Sequence, residues 1–117
     1  MNQLKNWVQL IGHLGFDPEL KELDNNKMLT RFAIATNEGY RKKDGTYENQ
    51  TQWHNVIAWG KTAELASRIL TKGNHVALEG KLIHRTYEDK MGQTRYASEV
   101  QLMDFVKMDK AEVAKVK

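Results

Sequence analysis

Apolar and polar positions alternate with a period of two along most of this chain, and the breaks in that alternation mark its elements. Over residues 4–14, Leu4, Val8, Leu10 and Leu14 share one parity, while Lys5, Trp7, Gln9, Ile11 and His13 share the other. Successive strand side chains point to opposite faces, so this pattern predicts a long strand, with Gly12 as a bulge or close-packing point. Asp17-Pro18 breaks the strand because proline has no N–H for a ladder. Residues 19–23 lead to the turn signal Asp24-Asn25-Asn26. Residues 29–36 predict a second strand, with Phe32 and Ile34 on one face and Arg31 on the other.

Residues 37–50 read as a polar connection with a turn at Asp44-Gly45. Residues 51–61, TQWHNVIAWGK, predict a third strand, ended by Gly60. The period then changes: Leu65, Ala66, Ile69 and Leu70 fall at helical spacing, with Thr62 as N-cap and Lys72-Gly73 as the stop. Alternation returns over 76–85, a hairpin loop turns near Gly92, and a last strand covers 95–106. The order is strand, strand, strand, helix, strand, strand. A mainly β, five-stranded OB-fold barrel with one helix between strands three and four matches it. That architecture hosts many activities and fixes none.

A chain of 117 residues supports one core. We expect an OB-fold domain over 1–107 and a short, basic, disordered tail over 108–117. The sequence has no cysteine, which excludes a disulfide framework and fits a reducing cytoplasm. It shows neither a secretory leader nor an apolar run long enough for a membrane span. The formal net charge of +3 permits a polyanionic partner, and the placement of the charges decides whether there is one.

The third strand carries the most distinctive chemistry. Trp53, Asn55, Ile57 and Trp59 share one face; His54, Val56 and Ala58 share the other. The two indoles stand roughly 20 Å apart along a strand, a spacing that suits separate stacked bases. Strand aromatics commonly pack into cores, and Val56 and Ala58 already supply a core side. Cations interleave with aromatics: Arg41, Lys42 and Lys43 follow Tyr40, and Lys61 follows Trp59; Arg85 is a further candidate cation. Tyr40 and Tyr87 taken alone read as hairpin packing residues, and any one of these lysines as solvated surface.

Together, the segments NWVQLIGHLG with Asp17-Pro18, FAIAT, TQWHNVI, GKTAE, LTKG, GKL and GQTRY resemble the bacterial and phage homotetrameric single-stranded DNA-binding proteins of the OB-fold class, in family order over residues 4–106. The resemblance implies sequence-nonspecific binding and protection of single-stranded DNA in replication, recombination and repair. Bases would stack on Tyr40, Trp53, Trp59 and Tyr87. The two tyrosines stand where tryptophan is familiar. Phosphates would be neutralised by Lys43, Lys61 and Arg85, with Lys42 and Lys72 as further cations. Trp7 admits two readings, an extension of the platform or a subunit contact. His54 is implied at a subunit interface of a tetramer. Cellular members end in a long tail with an acidic tip that recruits replication and repair proteins; this sequence ends on Val116-Lys117. It resembles a short form without that tip, which leaves protein partners open.

Other readings are a primosome-type or RNA-binding OB protein, and an OB adaptor that binds only protein. A nuclease lacks its constellation: His13, His54, His75 and His84 show no metal-ligand spacing, and Glu79 has no paired acid. No glycine-rich phosphate loop is present. We therefore expect no enzyme activity, metal, cofactor, small-molecule substrate or membrane partner.

Overall fold

The computed structural model describes residues 5–108. The chain runs β1 (Val8–Leu14), β2 (Glu19–Glu22), a 3-10 turn (Asp24–Asn26), β3 (Met28–Arg41), β4 (Tyr47–Trp59), α1 (Gly60–Ile69), β5 (His75–Glu88) and β6 (Thr94–Lys107). The strand order is β1-β5-β6-β4-β3-β2, and β1 also pairs with β3. That second pairing closes β1, β5, β6, β4 and β3 into a barrel and leaves β2 outside, on the edge of β3. The mainly β, five-stranded OB-fold barrel is thus the observed architecture, with α1 between its third and fourth strands. β4 and β6 run parallel at Val56↔Val100 and Ile57↔Gln101; the other ladders are antiparallel.

The even-numbered face of β1, β3 and β4 points inward. Leu14, Phe32, Ile34, Val56 and Ala58 meet Val76, Leu78, Val100 and Leu102 in one buried cluster. Helix α1 adds Ala63, Ala66 and Leu70 to it. Gly12 sits where β1 closes on β3; a β-carbon there would strike the Ala35 carbonyl, so it serves close packing.

Several boundaries differ from the sequence reading. β1 starts at Val8, because the Asn6 side chain replaces the ladder: its amide donates to the Leu82 carbonyl at 3.1 Å and accepts the Leu82 N–H at 3.0 Å. β2 lies where the sequence pattern predicts only a lead-in to a turn. α1 starts at Gly60 (φ 61°), so Trp59 occupies the N-cap and no side chain caps the helix. Its buried face is Ala63 and Ala66, while Leu65 and Ile69 are exposed. The helix closes at Leu70. Lys72 and Gly73 lie beyond it, their N–H groups donating to the Asp17 carboxylate at 2.7 Å and the Leu14 carbonyl at 2.9 Å. Residues 109–117 of the expected tail lie outside the described residues.

Candidate nucleic-acid interface

Residues 37–50 are two strand ends and a tight turn. β3 and β4 pair without a break from Leu29↔Trp59 to Arg41↔Tyr47, forming an arm whose far end is exposed on both faces. Its tip is a type I turn closed by a left-handed glycine. Lys42 N–H donates to Thr46, Gly45 N–H donates to Lys42, and Gly45 has φ 91°. The β5–β6 arm ends in the same turn, with Asp89, Gly92 and Gln93 in the places of Lys42, Gly45 and Thr46. The Asp89 carboxylate accepts from Met91 N–H, Gln93 N–H and Arg95 Nε at 2.8–3.0 Å. Arg95 above all, then these N–H groups, hold its carboxyl below the usual range.

Directly paired residues share a face, so the ladders define which aromatics lie together. On the outer face of the barrel, β4 carries Trp53 and Trp59 opposite Ala35 and Leu29 of β3. Across β6, the same outer side carries Arg85 and Tyr87 of β5 opposite Ala97 and Arg95. Trp53 is 60% exposed and Trp59 and Tyr87 are also open to solvent. The Trp53 ring reaches back to Gly15, where a β-carbon would come within 2.6 Å of its six-membered ring. The missing β-carbon at Gly15 leaves room for the edge of the indole.

Between Trp59 and Tyr87 lies an ion-pair bridge that the sequence did not reveal. Glu99 of β6, only 4% exposed, accepts from Arg31 Nε at 3.3 Å and Arg85 Nε at 2.7 Å. Arg31 is on β3, and β4 runs between β3 and β6. The bridge therefore passes over β4 at Ile57, which pairs with Arg31 on one side and Gln101 on the other. This cover explains why Ile57 is 2% exposed on a face otherwise open at Asn55 and Trp59. The Arg85 guanidinium also lies 5.1 Å from the Tyr87 ring centre, within cation–π range. Trp53, Trp59, Arg31, Arg85 and Tyr87 thus form one aromatic and cationic surface across β3, β4, β6 and β5.

Tyr40 stands elsewhere on the arm. It pairs with Glu48, and alternation puts it on the opposite ribbon face from Trp53. Its hydroxyl donates to Glu48 at 2.6 Å, and Lys42 Nζ lies 3.1 Å from the same carboxylate oxygen. The Glu48 contact chiefly, then slight burial, raises the phenol above its ordinary 10.0. Tyr40 first and Lys42 second hold Glu48 below 4.5. Lys43, at the tip, has no ion pair among the described residues. Lys61 lies beside Trp59 in a cleft of about 580 Å³ also lined by Lys27 and Met28. Lys72 is exposed in the turn after α1, next to Asp17.

Trp7 and His54 are apart from this surface. Trp7 Nε1 donates to Glu79 at 3.3 Å, beside Gln9, and Glu79 lies roughly 20 Å along β5 from Arg85 at strand spacing. His54 is on the inward parity at the barrel rim, its Nε2 2.9 Å from Thr36 Oγ1. His13 and His75 stack at 4.6 Å across β1 and β5. Among the described residues no metal-binding group of three or more His, Cys, Asp or Glu occurs. No described helix is long and apolar enough to cross a membrane.

Residues 5–108 match the sequence model of the single-strand binding protein family. The chain belongs to that family. It is 42% identical over 100 residues to "Single-stranded DNA-binding protein 1" of Chlorobaculum tepidum, covering 85% of this chain and 62% of that relative. The chain thus spans less than two thirds of that relative's length. Among solved structures it resembles the Plasmodium falciparum SSB in complex with ssDNA, with TM-score 0.79 and 27% identity, covering 89% of this chain and 95% of the other. Family membership agrees with the resemblance drawn from the sequence motifs and with the closed barrel.

Proposed function

We propose that this chain binds single-stranded DNA without reading its sequence. The observation that carries this reading is the continuous outer surface of Trp53, Trp59 and Tyr87, with Arg31 and Arg85 set among the rings. Every base has a π-face, so stacking tolerates any sequence, and cations along the backbone add affinity without base identity. Lys43, Lys61, Lys42 and Lys72 extend the positive surface. Tyr40, on the far face of the β3–β4 arm, receives a base if the strand wraps around that arm.

Binding would hold unwound strands open by mass action on the unpaired state, in the cytoplasm, during replication, recombination and repair. No step requires catalysis or a cofactor. The family relationship supports assembly as a homotetramer with His54 at a subunit contact, and work alongside replication and repair proteins. The testing variant is Trp53→Ala. It should lose most affinity for oligo-dT while keeping the oligomeric mass of the wild type. Unchanged affinity would contradict the reading and favour a protein-binding role for this face.

A further inference from the structure

A cavity of about 480 Å³ opens where β2 meets the outer face of β3, lined by Phe16, Asp17, Glu19, Lys21, Leu29 and Arg31. Its size falls within the range of small-ligand sites. Leu29 is buried beneath it, while Phe16 is 50% exposed. Phe16 follows Gly15, on which the Trp53 indole lies, so the two rings are presented from neighbouring points of the barrel wall. Glu19 and Lys21 come from β2 and stand directly opposite Arg31 and Leu29. Strand β2 thus forms the second wall of a pocket whose first wall belongs to the DNA-facing surface.

The pocket combines an exposed ring with two cations and two acids. Arg31 spends its Nε on Glu99 and makes no other hydrogen bond among the described residues. Its terminal N–H groups remain for an acceptor. Lys21 adds a second cation at the rim. Of the two acids, Asp17 already accepts the Lys72 N–H through Oδ1, while Glu19 stands directly opposite Arg31, so a phosphate enters on the Lys21 side of the guanidinium.

We propose that Phe16 and Arg31 form an additional nucleotide subsite. A base stacks on Phe16 next to the one on Trp53, and its phosphate meets Arg31 and Lys21. This rests on the single-stranded DNA reading above and extends the DNA path across β3 to β2.

The test is a titration of labelled oligo-dT of increasing length into wild type, Phe16→Ala and Phe16→Tyr. Stacking at one base corresponds to roughly a 5- to 100-fold change in affinity. Phe16→Ala should lose affinity by about that factor on long oligonucleotides and lose little on those too short to reach the pocket. Phe16→Tyr, which keeps the π-face, should bind like wild type. Equal affinity of Phe16→Ala and wild type at every length overturns the subsite alone, as does a Phe16→Tyr that binds as weakly as Phe16→Ala. A wild type that binds no oligo-dT overturns the DNA reading and the subsite together.

Discussion

The indole of Trp53 rests on Gly15 so closely that a β-carbon at residue 15 would lie 2.6 Å from Cζ3 and 3.0 Å from Cη2. The yielding partner is the far end of a side chain, so Gly15→Ala should move the ring and leave the barrel backbone in place. We expect a shifted tryptophan emission in the free protein and weaker binding to oligo-dT, by up to about tenfold for one disturbed stacking site. Thermal stability should change little. A variant with wild-type emission and affinity would show that the indole is not positioned by this contact.

Glu99 is an acid at the centre of a surface proposed to bind an acidic polymer. Charge alone predicts that Glu99→Gln tightens DNA binding. The geometry predicts the opposite, because Glu99 orients Arg31 and Arg85, and Arg85 in turn lies against Tyr87. Affinity should fall, and urea unfolding should show a loss of about 1–3 kcal/mol from weakening charged hydrogen bonds to a buried carboxylate. Tighter binding by the variant would contradict a positioning role.

Lys43 and Lys61 are without ion pairs among the described residues, whereas Lys42 lies 3.1 Å from Glu48. A lysine that neutralises one phosphate contributes about −0.7 to the slope of log K against log salt on single strands. Lys43→Ala and Lys61→Ala should each flatten the slope by about that amount. Slopes equal to wild type would place both lysines off the DNA path. Lys42→Ala should change it less, since Glu48 already offsets that charge.

The Tyr40–Glu48 contact has a defined pH window. Glu48 titrates below its ordinary 4.5, so its support is present above that value and lost as pH falls through the lower folded one. Tyr40 titrates above 10.0, so its support is present below that value and lost as pH rises past the folded one. The NMR shifts of the Tyr40 ring and the Glu48 carboxylate should therefore stay constant from about pH 5 to pH 9. Titration of either group inside that range would contradict the hydrogen bond.

The barrel was legible because each of its strands buries one face. Phe32, Ile34, Val56 and Ala58 print that burial into the sequence as alternation. β2 printed nothing, since Glu19, Leu20, Lys21 and Glu22 are all exposed. The outer halves of β3 and β4 read as a loop for the same reason: a ribbon beyond the barrel has solvent on both faces. Trp53 and Trp59 stand out as candidates from their shared strand face, and Tyr87 from the family motifs. Glu99 was missed because its partners lie 68 and 14 residues away, and no local pattern marks an acid that gathers two arginines across strands. Ile57 looked like part of an open face; only the bridge above it explains its burial. The one sequence signal that could have revealed Phe16 is a large aromatic directly before a proline-containing turn.

The most direct measurement is a titration of intrinsic tryptophan fluorescence with oligo-dT at several salt concentrations. Stacking on Trp53 and Trp59 predicts strong quenching, and phosphate neutralisation predicts an affinity that falls steadily as salt rises. Absence of quenching and of binding even at low salt would contradict the proposed function.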